Sequence, residues 1–332
     1  MRRAPNIPDL AAQIVQGSRA GIARAITLVE STRSDHRELA KELLRTLPRT
    51  EDAIRVGITG VPGAGKSTLI NALGLLLVER GHRVAVLAVD PSSARTGGSI
   101  LGDRTRMGEL TTHDRAYVRP SPSGNHLGGV ARATRESMLV MESAGYDVIL
   151  IETVGVGQSE IAVAEMVDTF LMISLARSGD QLQGIKRGIL EMADVIAVNK
   201  ADGDYVLAAK AAARELQVAM RLIQPEGRTT PVLTCSAETG AGLSELWAQV
   251  LAHRAELEGA GLAERRRAQQ LQWLWALVED QLLDAIRASQ GVREVRADVE
   301  AAVGDNRLSA IEGADQVLRA LARDIPGFRW AQ

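Results

Sequence analysis

Cysteine pairs, long apolar runs and an excess of basic charge are all lacking in this chain. Cys235 is the one cysteine among 332 residues, which excludes an intramolecular disulfide, and the five histidines lack the spacing of a zinc or nickel site. The sequence contains no run of about 18 consecutive apolar residues, so a membrane-spanning helix is not expected. The formal net charge of −2 does not suit a nucleic-acid-binding protein. These absences favour a reduced, cytoplasmic protein whose partners are neither membranes nor nucleic acids.

The order of apolar segments predicts an α/β fold. Strands are expected at residues 54–59, 83–89, 147–151, 169–175, 195–198 and 232–235, where β-branched and other apolar residues cluster. Most of these runs are continuously apolar, which is typical of strands buried on both faces of a parallel sheet. Helical patterns separate them at residues 67–79, 129–144, 184–192, 206–222 and 243–257. The alternation predicts a doubly wound, mostly parallel sheet.

Helical patterns also flank this α/β region. Residues 9–47 have the spacing of two or three short helices, and residues 263–289, 292–303 and 313–325 continue as helices after the last strand. We therefore predict an N-terminal helical segment over residues 1–50, a nucleotide-binding domain over 51–258 and a helical C-terminal extension over 259–332.

A glycine-rich segment between the first strand and the first long helix matches the pattern of a phosphate-binding loop. Glycines let successive backbone N–H groups turn inward around phosphate oxygens, and the following helix adds its positive end. Lys66 is expected to reach the β and γ phosphates, and the Ser67 hydroxyl to ligate Mg²⁺. The predicted nucleotide-binding residues are Gly60, Pro62, Gly63, Ala64, Gly65, Lys66, Ser67 and Thr68.

A second motif indicates which base is bound. Residues 199–202 read Asn-Lys-Ala-Asp and follow a predicted strand, at the sheet edge where open α/β folds bind ligands. Asp202 can accept hydrogen bonds from guanine N1–H and its amino group, a donor pair that adenine lacks. Asn199 and Lys200 are expected to brace the loop, with the lysine stem over the base. Further on, Ser236, Ala237 and Glu238 resemble the loop whose backbone N–H reads guanine O6.

A carboxylate ahead of a glycine indicates a metal site. Glu152 follows a predicted strand and precedes Gly155 by three residues, where small GTPases have Asp-x-x-Gly. Glu152 is expected to hold Mg²⁺ directly or through water, while the Gly155 N–H faces the γ phosphate.

Val156 stands where many GTPases have a glutamine that orients the attacking water, so slow intrinsic hydrolysis is expected. Asp90, Asp103 or a partner then positions the water; Gln158 is a weaker candidate, better explained as a solvated loop residue.

Longer motifs extend the match over nearly the whole chain. They read VGITGVPGAGKSTLI (56–70), VLAVDPSSARTGGSILGDRTRM (86–107), RPSPSGNHLGGVARATRE (119–136), ILIETVGVGQSE (149–160), GDQLQGIKRGILEMADVIAVNKAD (179–202) and QWLWALVE (272–279). In these segments the chain resembles the ArgK/MeaB family of SIMIBI-class P-loop GTPases, chaperones of adenosylcobalamin-dependent acyl-CoA mutases such as methylmalonyl-CoA mutase. The first few residues show no amphipathic presequence like that expected of a mitochondrial relative, which favours a bacterial cytoplasmic protein.

The resemblance implies further roles. Asp90 and Asp103 match positions linked to Mg²⁺ and nucleotide sensing, so the implied catalytic set is Lys66, Asp90, Asp103 and Glu152, and the implied metal ligands are Ser67, Asp90, Asp103 and Glu152. A third switch over residues 178–188, with Asp180, Gln183 and Lys186, is implied to signal to the mutase. The C-terminal helices match a homodimerisation arm, in which Trp273 and Trp275 either anchor the dimer or fill an intramolecular core.

The implied activity is hydrolysis of GTP to GDP and phosphate, at a low intrinsic rate that the mutase stimulates. This cycle would gate adenosylcobalamin loading and protect or reactivate the mutase. The alternatives are a nickel-insertion GTPase, for which the sequence shows no Cys/His site, and a P-loop kinase or transport ATPase, against which the guanine motif argues. A nucleotide-locked scaffold that never turns over is a third alternative.

Overall fold

The computed structural model describes residues 5–50, 52–89, 107–119, 127–153, 159–176, 187–224 and 229–324. The chain divides into two compact units, residues 1–269 and 270–332. The strands are β1 (Ile54–Gly60), β2 (Val84–Val89), β3 (Ala116–Arg119), β4 (Val148–Thr153), β5 (Thr169–Leu175), β6 (Val195–Asn199) and β7 (Val232–Thr234). The helices are α1 (Ile7–Val15), α2 (Arg19–Val29), α3 (Ser34–Thr46), α4 (Lys66–Glu79), α5 (Gly108–Thr112), α6 (Leu127–Ser143), α7 (Ser159–Ala164), α8 (Arg187–Met192), α9 (Val206–Ile223), α10 (Leu243–Leu257), α11 (Ala260–Ala288), α12 (Gln290–Gly304) and α13 (Ala310–Asp324).

The strands form one parallel sheet in the order β3-β2-β4-β1-β5-β6-β7. The inner strands are buried along almost their whole length, as their continuous apolar runs predict. Helices cover both faces, so the core lies in two layers. One layer includes Phe170 and residues of α1–α3, and the other includes Trp247 and residues of α4. The predicted doubly wound sheet is confirmed.

The N-terminal helices pack on the first of these layers. Ile14, Ile22 and Leu43, one from each helix, are fully buried there. Arg37 of α3 forms an ion pair of 2.9 Å with Glu136 of α6, whose side chain is 5% exposed. Helices α1–α3 therefore belong to the compact unit that contains the sheet.

An aspartate stands directly before each of three strands. Its carboxylate accepts a hydrogen bond from a backbone N–H of a neighbouring strand, or of the residue just before that neighbouring strand. A carboxylate at this position satisfies an N–H group that has no partner at the start of a sheet. The three bonds run from the Arg83 N–H to Asp147 (2.7 Å), from the Arg55 N–H to Asp168 (3.1 Å) and from the Phe170 N–H to Asp194 (2.9 Å).

Two of these aspartates also hold the first turns of α11. Arg266 donates from Nε and Nη2 to the two oxygens of Asp168 at 2.8 and 2.7 Å, and Arg265 reaches Asp194 at 3.0 Å. Burial raises the pKa of Asp194, but the hydrogen bond from His253 and the charge of Arg265 outweigh it, so the pKa lies below its usual value. Both carboxylates therefore pair with arginines of α11 at the amino ends of the strands.

The second unit contains the remainder of α11 together with α12 and α13. Ser289 caps α12 by accepting from the Val292 N–H at 3.1 Å, and its hydroxyl donates to Asp324 at 2.6 Å. The Gly291 N–H donates to the same carboxylate at 2.9 Å. The hydrogen bonds from Ser289 and Gly291 hold the pKa of Asp324 below its usual value. The first turn of α12 is thus joined to the last turn of α13.

The structure differs from the predicted elements at several places: the short helices α5 and α7 were not predicted, and two strands differ in ways that bear on the site. Strand β3 was not predicted, because its four residues form too short an apolar run after a polar turn. Strand β4 continues two residues further than predicted, since Glu152 and Thr153 still pair with β2, and Glu152 therefore lies within the strand. The three-part division at residues 50 and 258 stays a prediction. Among the helices that the structure describes, none combines the length and apolar character needed to cross a bilayer.

Candidate functional site

The glycine-rich loop connects the end of β1 to the start of α4. Gly65 has a φ of 81°, in the left-handed region, and a Cβ there would lie 2.8 Å from Nδ2 of Asn199. A side chain at this position would therefore strain the loop and collide with the guanine motif. Ala64 is buried beneath the loop, whereas Pro62, Gly63 and Thr68 are exposed. The loop's conformation and its contact with Asn199 thus explain why glycine occupies position 65.

Lys66 lies at the start of α4 and is nearly buried. Its ammonium donates to the carbonyl oxygens of Gly60 at 2.9 Å and Val61 at 3.4 Å. These oxygens belong to the phosphate-binding loop itself, so the ammonium is held where phosphate oxygens are expected. A buried ammonium needs such partners, and an anionic phosphate is a better one than a carbonyl.

Ser67 and Glu152 bring a hydroxyl and a carboxylate together at the same end of the sheet. The Ser67 hydroxyl donates to Oε1 of Glu152 at 2.8 Å, and both residues are buried. Thr153, the next residue of β4, donates to the Thr59 hydroxyl at 2.9 Å, which ties the ends of β4 and β1 together. Position and hydrogen bonding therefore hold the carboxylate beside the phosphate loop.

The donor set at this point fits Mg²⁺. Mg²⁺ binds oxygen ligands, takes one or two from protein side chains and completes its octahedron with phosphate oxygens and water. Ser67 and Glu152 supply one neutral and one anionic oxygen of this kind. In the described ranges, no cluster of three or more His, Cys, Asp or Glu side chains could hold a metal by itself. The protein atoms therefore suit a metal shared with a bound nucleotide.

Asn199 connects the phosphate loop to both guanine loops. Its Nδ2 donates to the Ala64 carbonyl at 2.9 Å, and its Oδ1 accepts from the Ala237 N–H at 3.1 Å. The Ala201 N–H donates to the Cys235 carbonyl at 3.0 Å and joins the two guanine loops directly. One buried amide thus fixes three loops relative to one another, as expected of the residue that braces this site.

Asp202 is held by the neighbouring loop. The Ser236 hydroxyl donates to one of its carboxylate oxygens and accepts from the Thr239 N–H at 3.1 Å. Asp202 itself is half-buried, so it is partly accessible to a ligand, and Glu238 of the neighbouring loop is exposed. Lys200 has a positive φ of 60°, and its Cε lies 3.7 Å from a Cβ built on Gly65, so its stem passes over the end of the phosphate loop.

Cys235 is a residue of the site that the motifs did not reveal. It lies between Thr234 and Ser236, is 1% exposed, and its thiol contacts Oδ1 of Asn199 at 3.8 Å. Burial raises the pKa of the Cys235 thiol to about 12. The thiol is therefore protonated at neutral pH and packs beneath the guanine loops as a small apolar side chain. Its position directly before the Ser-Ala-Glu loop was the only signal in the sequence.

The structure thus brings together Gly60, Gly65, Lys66, Ser67, Glu152, Asn199, Lys200, Asp202, Ser236 and Ala237 at the carboxyl ends of β1, β4, β6 and β7. Ligands of open parallel sheets bind at this edge. Pro62, Gly63, Ala64 and Glu238 lie in the same loops, and Thr68 lies in the first turn of α4. Eight further residues of the sequence analysis lie outside the described residues; these are Asp90, Asp103, Gly155, Val156, Gln158, Asp180, Gln183 and Lys186. Nucleotide-binding roles for the assembled residues stay predictions.

Comparisons with known proteins agree on one family. A probable GTPase from Mycobacterium bovis is 59% identical over 316 residues, and the alignment covers 94% of each of the two chains. The mouse protein named methylmalonic aciduria type A homolog, mitochondrial, is 44% identical, over 92% of this chain and 77% of its own length. A crystal structure titled LAO/AO transport system kinase superposes with a TM-score of 0.74 at 35% identity, covering 96% of this chain and 99% of that one.

The family model that matches is described as methylmalonyl Co-A mutase-associated GTPase MeaB, and it covers residues 22–291. The match includes every element that contributes to the assembled site. The chain is therefore a P-loop GTPase that binds guanine nucleotides, and it belongs to the MeaB family.

Proposed function

We propose that this GTPase is a chaperone of an adenosylcobalamin-dependent acyl-CoA mutase such as methylmalonyl-CoA mutase. GTP binding and hydrolysis would gate loading of intact cofactor and would protect or reactivate the mutase. The main support is the family match over residues 22–291, because that family is defined by association with a mutase. The residues assembled at the carboxyl ends of the strands would supply the chemistry that such a cycle needs.

The proposed cycle begins with nucleotide entering between the three loops that Asn199 connects. Lys66 would exchange its contacts with the Gly60 and Val61 carbonyls for phosphate oxygens. The Ser67 hydroxyl and Glu152 would give up their mutual hydrogen bond and hold Mg²⁺ instead. When bound, Mg²⁺ neutralises negative charge on the phosphates. Asp202 and the Ala237 N–H would then orient the guanine base.

Hydrolysis is proposed to be slow until the partner binds. Val156 cannot orient a water molecule, so the remaining candidates are Asp90, Asp103 or a group that the mutase supplies. Segments 90–106, 154–160 and 178–188 would act as switches that bound GTP orders and hydrolysis releases. Asp180, Gln183 and Lys186 are the proposed contacts in the third switch.

Coupling between nucleotide and mutase tests this proposal. If the mutase prefers one nucleotide state, linkage requires that the nucleotide change mutase affinity by the same factor. We expect the mutase to change GDP or GTP affinity by about 5- to 150-fold, the usual range of such coupling, and to accelerate single-turnover GTP hydrolysis. The measurement is nucleotide affinity and turnover with and without a purified adenosylcobalamin-dependent mutase. An unrelated acyl-CoA enzyme is the control. A mutase that alters neither affinity nor turnover would rule out the chaperone role.

We also propose that the second unit forms a homodimer through α11. Leu271, Trp275 and Leu282 are 52%, 65% and 59% exposed and recur at intervals of four and seven residues. This spacing places them on one stripe of the helix and is typical of helices that pair in coiled coils. A second copy of α11 would bury the stripe. Trp275 is then an anchor of the dimer, while Trp273 is only half-exposed.

Charge on this stripe is expected to dissociate the dimer. Leu271→Glu combined with Leu282→Glu would place like charges in the buried seam, so the protein should sediment as a monomer at concentrations where the unmodified chain is dimeric. Ala276→Glu is the matched control, because Ala276 is exposed on another side of the same helix. Sedimentation velocity gives the mass. A monomeric unmodified chain, or a double variant that remains dimeric, would contradict this dimer.

A further inference from the structure

The sheet has two edge strands, which are covered differently. At β3, the Arg115 carbonyl accepts from the Val84 N–H of β2, so the backbone groups of the next residue, Ala116, face outward. Arg19 of α2 covers this edge by donating to the Ala116 carbonyl at 2.9 Å. Natural proteins commonly cover edges in this way, because unpaired edge groups accept a further strand.

The opposite edge, β7, exposes backbone groups. Pro231 and Cys235, on either side of the strand, each form a 2.9 Å backbone hydrogen bond with β6. Because strand residues alternate in direction, Leu233 also faces β6, whereas Val232 and Thr234 face away from the sheet. No hydrogen-bond partner for the outward N–H and C=O groups of Val232 and Thr234 occurs in the described part of the chain.

A groove of about 500 Å³ runs along this edge. One wall is α9, with Lys210 and Arg214 exposed along it, and the other is the start of α10 with Glu245. Neither Lys210 nor Arg214 forms an ion pair with any residue that the structure describes. Among the described residues, the groove therefore has backbone groups and two cations that find no partner in the same part of the chain.

We infer that this groove docks an extended, acidic segment of a partner protein, which adds to β7 as an eighth strand. Addition of a strand to a free edge is a recurrent mode of peptide binding, in which main-chain hydrogen bonds give affinity and alternate side chains give specificity. Lys210 and Arg214 are four residues apart on a helix, or about 6 Å along its axis. Alternate residues of a strand are about 6.6 Å apart, so two acidic side chains at positions i and i+2 match the two cations.

The length of the docked segment is limited at one end of the groove. A Cβ built on Gly242 would lie 2.4 Å from the Thr234 carbonyl oxygen, so the backbone of Gly242 closes over that group. Val232 N–H, Val232 C=O and Thr234 N–H remain for the incoming strand. The strand therefore spans about three residues, or about 10 Å. The inference does not depend on the mutase proposal, since it rests on the edge and its walls.

Three synthetic peptides test this inference. The first is a fluorescein-labelled heptapeptide, Thr-Glu-Val-Glu-Val-Glu-Thr; the second carries N-methyl groups on alternate amides; the third has lysine in place of glutamate. At low salt, we expect saturable binding of the first peptide alone, by fluorescence anisotropy, and slower hydrogen exchange at the Val232 and Thr234 amides. Arg214→Glu with Lys210→Glu should weaken binding by about tenfold or more, because like charges then oppose each other.

Arg221→Glu is the matched control, since Arg221 is exposed on the same helix but does not line the groove. It should leave peptide binding within about twofold of the unmodified chain, which corresponds to less than 1 kcal/mol. GDP binding by each variant reports that the α/β unit is folded. The inference is overturned if the acidic peptide does not bind, if the N-methylated or lysine peptide binds equally well, or if binding leaves the Val232 and Thr234 amides unprotected. Protection that rises with protein concentration alone would assign the edge to a second copy and overturn it too.

Discussion

Asp168→Asn is expected to destabilise the first unit by about 3–5 kcal/mol, because it removes the carboxylate that accepts two hydrogen bonds from the buried Arg266 guanidinium. Asp168 is fully buried and accepts two hydrogen bonds from Arg266 and one from the Arg55 N–H. Arg266 also donates to the Ala53 carbonyl at 2.8 Å. The neutral amide keeps the size of the side chain but removes the charge and one acceptor. Urea unfolding followed by circular dichroism measures the loss.

Asp35→Asn is the matched control for this prediction. Asp35 pairs with Arg33 at 2.7 Å, but both side chains are more than half exposed, so water replaces the lost contact. No measurable change in stability is expected there. Arg266→Met combined with Asp168→Leu should be less destabilising than Asp168→Asn alone, because no unpaired charge remains buried. An Asp168→Asn protein as stable as the Asp35→Asn protein would contradict the buried ion pair.

The aspartates at the starts of the strands show where sequence reasoning stopped. Asp147, Asp168 and Asp194 each stand directly before an apolar strand, and this repeated position was visible in the sequence. Their partners were not visible, because a partner such as Arg266 lies 98 residues from Asp168 in the sequence and belongs to a helix after the last strand. An ion pair over this separation depends on strand order and helix docking. The local sequence pattern therefore shows where these aspartates stand relative to the strands, but not which residues they pair with.

The same distinction applies to the sheet. Continuous apolar runs predicted the buried central strands, since burial on both faces leaves a strong local signal. Strand β3 has four residues and leaves almost none. The packing of α1–α3 on one face of the sheet was not predicted either, because amphipathic spacing shows that a helix has a buried side but not what covers it.

The candidate site was predicted more completely than the rest of the chain. Loops that bind nucleotides need particular residue types at particular spacings, so Lys66, Ser67, Asn199 and Asp202 were found from their motifs. The links between motifs required the fold: Asn199 reaches Ala64 across 135 residues, and Ser67 reaches Glu152 across 85. Cys235 has no motif of its own, and its burial between the guanine loops became visible only in the structure.

Asp202→Asn is expected to change the base preference from guanine to xanthine. In the predicted role, the Asp202 carboxylate would accept from N1–H and the amino group of guanine, and an amide cannot accept both. Hydrogen bonds to a charged group contribute about 1.5–3 kcal/mol each, so GTP affinity should fall by about 10²- to 10⁴-fold. Xanthine carries a carbonyl in place of the amino group, to which the asparagine amide can donate. Xanthosine triphosphate should therefore bind the variant better than GTP does.

Asp204→Asn is the control for this substitution. Asp204 is exposed in the turn after the guanine motif, and its replacement by asparagine removes the same charge. It should leave the affinity for GTP unchanged. Both variants keep Lys66, Ser67 and Glu152, the predicted phosphate and Mg²⁺ residues. A difference in affinity between the two variants therefore reports recognition of the base.

The affinities of the unmodified chain and of Asp202→Asn for GTP and xanthosine triphosphate, measured side by side by titration calorimetry, test the central claim most directly. We expect the unmodified chain to prefer GTP and the variant to prefer xanthosine triphosphate. A variant that keeps the full preference for GTP would show that Asp202 does not read the base, and would contradict the assignment of this site.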